Sequence, residues 1–545
     1  MTYEAGIPEY AMQPAKAPQV CPAAAIYHTE KMNYPAEKKT TIYQVEEDIL
    51  VPDTKADMRE ILLMEAWGDV LPTEKKILPK TDDLLNLTGM ITIQTVYQPE
   101  DSGENDQKLP VAITSKLPYK FQWRLAPENS GDGVFQCRVK NLEHMVINER
   151  KFRVKVTLEF SVQLFCQREI QFFHGLKDET LEMKSVEQPL ICLAAVKGDR
   201  ITVDEQFHVR ETERIPERIL MQSFAIAENY RQVTTEKVVI NGFIFVTLLY
   251  QTKVDHDHEA MVCEHRQRVE FTQFVPIEKE HRGKKWSTVK PSFSAETLGV
   301  VIEQGDEESA APVFRIKGDI ETRIELYEQK LQEIVVDAYH REKQFRCLFS
   351  ETAFLNLSDG AITEYNGREV VNLPDGRKAV EATACDCKVV SCDCKVDGGK
   401  IMIQGNVHGK CLWKDGEGNF RVSNQPSDFY TTIDLDRTGK ESFARCTPMV
   451  KHCVVTLINE KQLELNYTLL LQCESYEELK LTLLEEPGFT AGGMEREYPI
   501  SITVLKSGES LWDLAKRYRT TEKQIRDVNR LTEDPMPGQK LLMMK

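Results

Sequence analysis

The chain has 545 residues, of which 41% are hydrophobic and 28% charged, the proportions of a soluble globular protein with room for three or four domains. Its formal net charge of −17 argues against general nucleic-acid binding, which requires a basic surface. No uninterrupted apolar run approaches the roughly 18–20 residues that cross a bilayer.

Residues 1–39 are predicted to form a flexible N-terminal segment. They contain no continuous apolar core after a basic start, so we expect no secretory signal there. The 14 cysteines of the chain do not cluster as in a small secreted scaffold, and most stand singly in apolar runs. This usage favours reduced thiols in a cytosolic compartment.

The middle of the chain repeats one unit three times. In each copy a glycine stands eight residues before an aromatic residue inside an apolar run: Gly89 and Tyr97 in LLNLTGMITIQTVYQ, Gly242 and Tyr250 in KVVINGFIFVTLLYQ, and Gly405 and Trp413 in KIMIQGNVHGKCLWK. The glycines are 153 and 163 residues apart, about one domain each. The spacing therefore predicts three tandem copies of one fold.

Each copy is predicted to be mainly β. Runs such as RVKVTLEFSVQLF are rich in β-branched and aromatic residues and alternate with polar turns. A glycine within such a run indicates a bulge or a close backbone approach. We expect antiparallel sheets packed face to face as in a sandwich, with a short helix near ADMREILLMEAW.

The last stretch has a different pattern, in the order strand, helix, helix, strand. Ile500, Ile502 and Val504 alternate with polar residues, which predicts a half-buried strand. Ser510 with Asp513, and Thr521 with Gln524, form two capping boxes that begin two short helices. A turn containing Pro537-Gly538 then leads into the apolar run KLLM, which can pair with the first strand.

This order resembles the LysM domain, together with GESLW at the first helix, VNRL after the second and PGQKL before the last strand. The resemblance covers Tyr498–Lys545. It implies binding of glycans that contain N-acetylglucosamine, chiefly peptidoglycan, in a groove between two loops. The groove loops of the family correspond here to Gly508, Glu509, Ser510 and Leu511, and to Leu531, Thr532, Glu533, Asp534, Pro535 and Met536.

The charge of this segment leaves its ligand open. It contains nine Lys/Arg and six Asp/Glu, so it carries +3 and the rest of the chain −20 (−17 minus +3). A basic tip on an acidic body suits peptidoglycan, an anionic membrane or an acidic protein. Glu533 and Asp534 are acidic for a sugar groove, which keeps a protein ligand as an alternative.

The whole architecture, from Thr40 to Lys545, resembles the SPOCS-domain (DUF3794) spore proteins of clostridia and their relatives. That resemblance implies a role in spore-coat morphogenesis, in the mother-cell cytoplasm at the forespore surface. It also implies contact with the coat-basement ATPase of the stage IV sporulation protein A type and with other coat proteins.

The predicted domain boundaries follow from the repeats and the LysM resemblance. They are residues 1–39 for the N-terminal segment, 40–176, 177–339 and 340–488 for SPOCS-type repeats 1 to 3, 489–497 for a linker, and 498–545 for the LysM domain.

Two groups of residues have the side-chain types that bind metal ions. Cys385, Cys387, Cys392 and Cys394 form a C-x-C-x4-C-x-C pattern that could hold zinc through four thiolates. An extended strand would place the first two on one face and the last two on the other unless a bulge intervenes, so buried strand thiols are the favoured interpretation. For a second group we favour a solvated loop over a metal site: His256, His258, Cys263 and His265.

No nucleotide cradle, nucleophile elbow or zinc-protease motif occurs, so we predict no catalytic residues, no cofactor and no enzymatic activity. The sequence hypothesis is a non-enzymatic assembly adaptor of the spore coat with a C-terminal binding module. The alternative hypothesis is a cell-wall protein that binds peptidoglycan.

Overall fold

The computed structural model describes most of the chain. The described residues are 25–70, 84–100, 109–124, 132–177, 180–208, 215–254, 259–282, 286–294, 297–303, 312–374, 376–435, 442–489 and 500–544. Strands dominate, and the described residues contain two α-helices, both near the C-terminus. The predicted class, a mainly β chain of tandem sandwich-like repeats followed by a strand–helix–helix–strand module, is confirmed.

Three groups of strands follow one another along the chain, and we call them repeats 1, 2 and 3. Repeat 1 contains β1 (Ala25–Leu50), β2 (Met58–Val70), β3 (Leu84–Pro99), β4 (Val111–Arg124), β5 (Asp132–Asn148) and β6 (Lys151–Leu176). Repeat 2 contains β7 (Leu181–Phe207), β8 (Pro216–Val233), β9 (Lys237–Thr252), β10 (Val262–Pro276), β11 (Trp286–Ser294), β12 (Gly299–Glu303) and β13 (Val313–His340), with a short 3-10 turn at Lys279–His281. Repeat 3 contains β14 (Phe345–Asn372), β15 (Ala379–Asp397), β16 (Lys400–Asp415), β17 (Phe420–Asp434), β18 (Ser442–Asn459) and β19 (Gln462–Phe489).

Each repeat is a sandwich of two antiparallel sheets. One sheet is a three-stranded meander in the orders β2-β3-β4, β8-β9-β10 and β15-β16-β17. The other sheet pairs the first strand of the repeat with the last, in the orders β1-β6-β5 and β14-β19-β18. In repeat 2 the position next to the last strand is shared by β11 and β12, which both pair with β13 while β7 pairs with its other edge. Apolar side chains from both sheets form one core in each repeat.

The first and last strands of each repeat form long two-stranded ribbons: β1 with β6, β7 with β13, and β14 with β19. Residues 25–39, predicted to be part of a flexible segment, are instead the first half of β1 and pair with the C-terminal half of β6. The partner lies more than a hundred residues away in sequence, and an irregularity between Pro35 and Lys38 interrupts the strand pattern. Local alternation alone therefore could not reveal this strand.

The prediction of a short helix near ADMREILLMEAW is wrong, because this segment belongs to β2 from Met58 onward. Register shifts between Met58 and Glu60 and between Ile61 and Leu63 mark two irregularities in its pairing with β3. Such bulges change the face on which successive apolar residues lie, so the period of the sequence departs from two without becoming helical.

In repeats 2 and 3 the same close contact explains why the repeated position is a glycine. Each motif glycine pairs with an aromatic residue of the next strand: Gly89 with Tyr119, Gly242 with Phe271, and Gly405 with Phe429. A Cβ at Gly242 would lie 2.5 Å from the Phe271 ring, and one at Gly405 would lie 2.6 Å from the Phe429 ring. The ring crosses the glycine and occupies the space of its missing side chain, which is the close approach predicted from the sequence.

The motif's aromatic residue and the residue before it face two different cores. Tyr97, Tyr250 and Trp413 are buried in the cores of their own repeats. The preceding residues, Val96, Leu249 and Leu412, meet in one further apolar cluster to which all three repeats contribute. Because side chains of a strand alternate between its faces, the central strands β3, β9 and β16 are buried on both sides near their C-terminal ends. The repeats thus close into a ring around a shared apolar centre.

Each junction in the ring also has a side chain that accepts a hydrogen bond from a neighbour's backbone. Gln94 of repeat 1 accepts from the Gln222 N–H of repeat 2 (3.2 Å). Gln98 of repeat 1 accepts from the Phe420 N–H of repeat 3 (3.1 Å). At the third junction Glu264 of repeat 2 accepts from a backbone N–H of repeat 3 (3.3 Å). Buried polar groups at all three junctions are therefore paired across repeats.

The three ribbons gather in a second shared cluster. Its members come from repeats 1, 2 and 3: Ile170, Phe172, Leu190, Cys192, Ile334, Leu481 and Leu483. Lys330 of β13 forms an ion pair with Glu30 of β1 (2.9 Å), and the Tyr27 hydroxyl donates to the Glu485 carbonyl of β19 (2.9 Å). Lys290 of repeat 2 reaches Glu474 of repeat 3 (2.7 Å).

The C-terminal module consists of β20 (Ile500–Val504), α1 (Leu511–Tyr518), α2 (Glu522–Asn529) and β21 (Lys540–Met544). The predicted linker 489–497 lies outside the described residues except for Phe489, the last residue of β19. Neither described helix has the length and apolar character needed to span a membrane.

We predict that Gly242→Ala destabilises the protein by about 1–3 kcal/mol, because the new methyl would also lie 2.7 Å from the Ala227 carbonyl oxygen. Denaturant unfolding of the full chain measures this. Gly416→Ala is the matched control, because a Cβ there meets no atom within 4 Å. Equal stability of both variants would contradict the close-approach explanation.

The burial of Glu264 at the junction of repeats 2 and 3 predicts that the stability of the protein depends on pH. Burial raises the pKa of its carboxyl from 4.5 to about 7, with the nearby Cys453 acting in the same direction, although Arg266 and the Cys385 backbone oppose the shift. The folded state therefore retains a proton that the unfolded state has lost. The free energy of unfolding should fall by up to about 3 kcal/mol between pH 4.5 and about 7 through this group.

Glu264→Gln should remove that part of the pH dependence, as measured by denaturant unfolding at pH 5 and pH 8. Glu270→Gln, at an exposed position of the same strand, should retain it. The explanation fails if both variants keep the wild-type slope of stability against pH.

Candidate functional site

Capping residues fix the start of both helices of the C-terminal module. The Ser510 hydroxyl accepts a hydrogen bond from the Asp513 N–H, and the Asp513 carboxylate accepts from the Ser510 N–H (2.8 Å). Thr521 accepts from the Gln524 N–H (3.0 Å) at the second helix. These contacts satisfy N–H groups that have no partner within the helix. Both helices begin where the sequence predicts, but only the first cap is a complete capping box, since the Gln524 side-chain oxygen accepts from the Thr520 hydroxyl (2.8 Å).

A small core holds the helices on the two-stranded sheet. Leu505, Leu514, Ala515, Ile525 and Leu541 are fully or almost fully buried in it. The Asn529 side chain ties α2 to the sheet, because its amide donates to the Leu542 carbonyl (2.8 Å) and its oxygen accepts from the Leu542 N–H (2.7 Å). Asn529 is thus a structural residue.

The first predicted groove loop joins β20 to α1. Gly508 has φ +81°, a left-handed conformation that suits glycine. The Glu509 carboxylate accepts from the Lys506 N–H (3.1 Å) and forms an ion pair with Arg517. The Lys506 hydrogen bond is the largest of the effects that lower the pKa of Glu509. Its charge is therefore held by neighbours within the module.

The second predicted groove loop follows α2. Asp534 forms an ion pair with Arg526, so the acidity of this loop is partly compensated from the adjacent helix. The Met536 N–H donates to the Gln539 side chain (3.1 Å), which closes the turn before β21. Met536 itself is 76% exposed and offers an apolar surface at the rim.

The ten predicted groove residues occupy both loops and differ in exposure. Those exposed to solvent are Gly508, Ser510, Thr532, Glu533, Asp534 and Met536, whereas Glu509, Leu531 and Pro535 are half-buried and Leu511 is buried. Leu511 belongs to the module core and Leu531 packs against it, so the two loops flank the same apolar centre. Exposed backbone groups, the Thr532 hydroxyl and the Met536 side chain can contact hydroxyl groups and the apolar face of a sugar. Whether they bind one remains a prediction.

Helix α1 also packs against the end of β13. The Trp512 indole N–H donates to Asp337 (2.7 Å), and Lys516 forms an ion pair with the same carboxylate (2.6 Å). The Tyr339 hydroxyl donates to the Thr520 carbonyl (2.5 Å), and its ring lies edge-on to Trp512 with centroids 5.0 Å apart. Trp512 is therefore a core residue of the module and also part of a contact with repeat 2.

Sequence reasoning missed Asp337 and Tyr339 as residues that position the module. Asp337 lies 175 residues before Trp512, inside a strand whose pattern gives no sign of this contact. The opposite net charges of the module and the body are compatible with an acidic residue facing the basic α1. These charges alone do not identify Asp337 as that residue.

The four cysteines of β15 are not divided between the two faces of the strand. A register shift between Val389 and Ser391 introduces a bulge between the two cysteine pairs. Cys385, Cys387, Cys392 and Cys394 consequently all face the core of repeat 3. The bulge is the exception that the prediction allowed, so the division of the two pairs between opposite faces, expected for an uninterrupted strand, does not occur.

The histidine-rich segment is only partly described, since His256 and His258 lie outside the described residues. The solvated-loop interpretation is wrong for Cys263 and His265, which lie on β10. His265 is buried and stacks on Phe207 (centroids 5.7 Å apart), and Cys263 packs against the repeat 2 core. Within the described residues, no group of three or more His, Cys, Asp or Glu is arranged to hold a metal ion.

We predict that Asp337→Ala weakens the contact between α1 and β13, because it leaves the Trp512 indole and Lys516 without their shared acceptor. Hydrogen exchange of α1 and of the end of β13 should accelerate about tenfold, corresponding to a loss of ~1.4 kcal/mol. Asp527→Asn, an exposed carboxylate on α2, serves as the control and should leave exchange unchanged. Unaltered exchange in Asp337→Ala would contradict the contact.

Comparison with known proteins identifies the module but not the body. The model of the LysM domain family matches residues 503–543. No curated protein matches the chain, and no solved structure does. The match lies within the β20–α1–α2–β21 unit, whose strand order and capped helices agree with it. The C-terminal module of this chain is a LysM domain.

Proposed function

We propose that the chain is a non-enzymatic adaptor whose β-rich body presents one binding site for glycans that contain N-acetylglucosamine. The LysM domain carries this proposal, because modules of that family are suited to peptidoglycan-type ligands. Its α1 packs on repeat 2 through Trp512 and Lys516, while two of the four residues of the first groove loop and four of the six residues of the second are exposed to solvent.

The finer proposal is a role in spore-coat assembly. Its support is the sequence resemblance of the triplicated body and C-terminal LysM domain to SPOCS-domain spore proteins. In this role the chain would act in the mother-cell cytoplasm at the forespore surface and link the coat-basement ATPase to other coat proteins. Three linked repeats would add weak contacts into a strong attachment.

The rival proposal is a cell-wall protein that uses the same groove on vegetative peptidoglycan. A fluorescent fusion of the full chain separates the two. Signal around the forespore during sporulation supports the coat role, and signal along the vegetative wall supports the rival.

A protein ligand at the groove is a second candidate, favoured by Glu533, whose carboxylate is exposed on the second loop. A pull-down of the full chain with isolated peptidoglycan, beside one with the purified basement ATPase, distinguishes the two ligands. Retention on the ATPase alone would overturn glycan binding and leave the adaptor role.

For glycan binding we predict that Met536→Asp lowers retention on isolated peptidoglycan at least about tenfold, because it replaces an exposed apolar contact with a charge. Co-sedimentation with increasing peptidoglycan measures this. Met145→Asp is the matched control, since Met145 is 57% exposed but lies in repeat 1. A chain ending at residue 497 should keep the repeat cores and lose retention, and full retention of either LysM variant would refute the proposed site.

A further inference from the structure

Repeat 2 has an open cleft between its two sheets. The cleft has a volume of about 630 Å³ and lies between β8 and β11, which are edge strands of the two sheets. Its walls come from the end of β8 with the turn after it, and from the first half of β11. This volume lies within the range of small-molecule sites in proteins.

Two charged residues of β8 face the interior of the sandwich at this cleft. Glu228 pairs with Gly242 and Arg231 pairs with Ile240, two buried residues on the core face of β9. The register shift between Glu228 and Tyr230 places both side chains on that face although they are three residues apart. Arg231 lines the cleft and forms an ion pair with Glu228 through its Nε (2.7 Å).

The fold does not require charged residues at these two positions. In repeat 3 they are occupied by Cys392, opposite the motif glycine, and by Cys394, opposite the residue two before that glycine. Both cysteines pack against the core of repeat 3. In repeat 1 Val70 stands opposite the motif glycine. The ion pair of repeat 2 therefore needs another explanation than the construction of the sandwich.

The ion pair is also incompletely satisfied. The Glu228 side chain is only 7% exposed, and its second carboxylate oxygen is buried without a hydrogen-bond partner among the described residues. Burial raises the pKa of the Glu228 carboxyl, although Arg231 opposes the shift. Such a carboxylate costs folding free energy. What it provides is a fixed position for the Arg231 guanidinium, whose terminal N–H groups remain for a ligand.

The cleft combines this guanidinium with an aromatic ring and hydroxyl groups. Trp286 lines the cleft and packs against a core cluster of repeat 2, and Thr235 and Thr288 line it as well. A guanidinium binds a carboxylate through two parallel N–H donors. An indole contacts the apolar face of a ring, and threonine hydroxyls exchange hydrogen bonds with ligand hydroxyls. A sugar that carries a carboxylate has all three matching groups.

We propose that this cleft binds an acidic sugar, whose carboxylate meets Arg231 and whose ring lies against Trp286. The site belongs to repeat 2 and does not depend on the LysM groove. N-acetylmuramic acid and N-acetylglucosamine are a matched pair of probes, because they share one sugar ring and only the first carries a carboxylate.

The test titrates the folded full chain with each sugar and follows binding by saturation-transfer NMR. N-acetylmuramic acid should bind at least about tenfold more tightly than N-acetylglucosamine, and high salt should reduce the difference. The full chain carrying Met536→Asp should give the same result, because the change lies in the LysM domain. Loss of N-acetylmuramic acid binding in that variant would assign the sugar to the LysM groove and overturn the proposal.

A double variant, Glu228→Val with Arg231→Met, separates a binding role of the ion pair from a structural one. It should not lower the thermal midpoint, because uncharged residues occupy these positions in the other repeats. Its affinity for N-acetylmuramic acid should fall to that for N-acetylglucosamine. Arg200→Met is the matched control, since it removes an ion-paired arginine elsewhere in repeat 2 and should leave both affinities unchanged.

Trp286→Leu should weaken the binding of both sugars. Equal affinity of the wild-type chain for the two sugars would overturn the proposal, as would unchanged binding of N-acetylmuramic acid in the double variant or in Trp286→Leu. A marked loss of stability in the double variant would also overturn it, because the ion pair would then be structural.

Discussion

The fold depends on the burial of one end of each central meander strand, the C-terminal end, on both of its faces. Tyr97, Tyr250 and Trp413 fill the cores of their own repeats, and the residue before each packs among the repeats. Since successive side chains point to opposite faces, one register sets both contacts, and a slip by one residue would exchange them. The aromatic ring that crosses the motif glycine fixes that register in repeats 2 and 3. The register of each strand pair therefore also determines how the three repeats assemble into the ring.

The ribbons connect this ring to the binding module. β13 begins in the core of repeat 2, passes through the cluster shared by the ribbons and ends at Asp337 and Tyr339, beside the LysM helix α1. An antiparallel ribbon of this length, held by ion pairs to its neighbours, transmits orientation from the body to the module. The module consequently does not depend on the segment 490–499 alone for its placement.

Sequence reasoning located what is local and repeated. The caps at Ser510 and Thr521, the strand order of the module and the threefold glycine–aromatic spacing all involve residues close together in the chain. It failed where the decisive partner is distant or a bulge alters the period. Residues 25–39 form a strand only because β6 returns beside them. The sequence of β2 suggests a helix because its register shifts hide the alternation of apolar and polar residues. The docking of Trp512 on Asp337 joins two elements that no local pattern relates.

Closure of the repeats sets this body apart from open repeat arrays, in which a unit can be added at either end because each unit contacts only its neighbours. Here the third unit meets the first again, through Gln98 and the Phe420 backbone, and all three share one apolar centre. A fourth copy would find no unoccupied face, and loss of one copy would open the centre to water. Evolution of such a body can alter its loops and its attached module, but the number of its units is fixed by geometry.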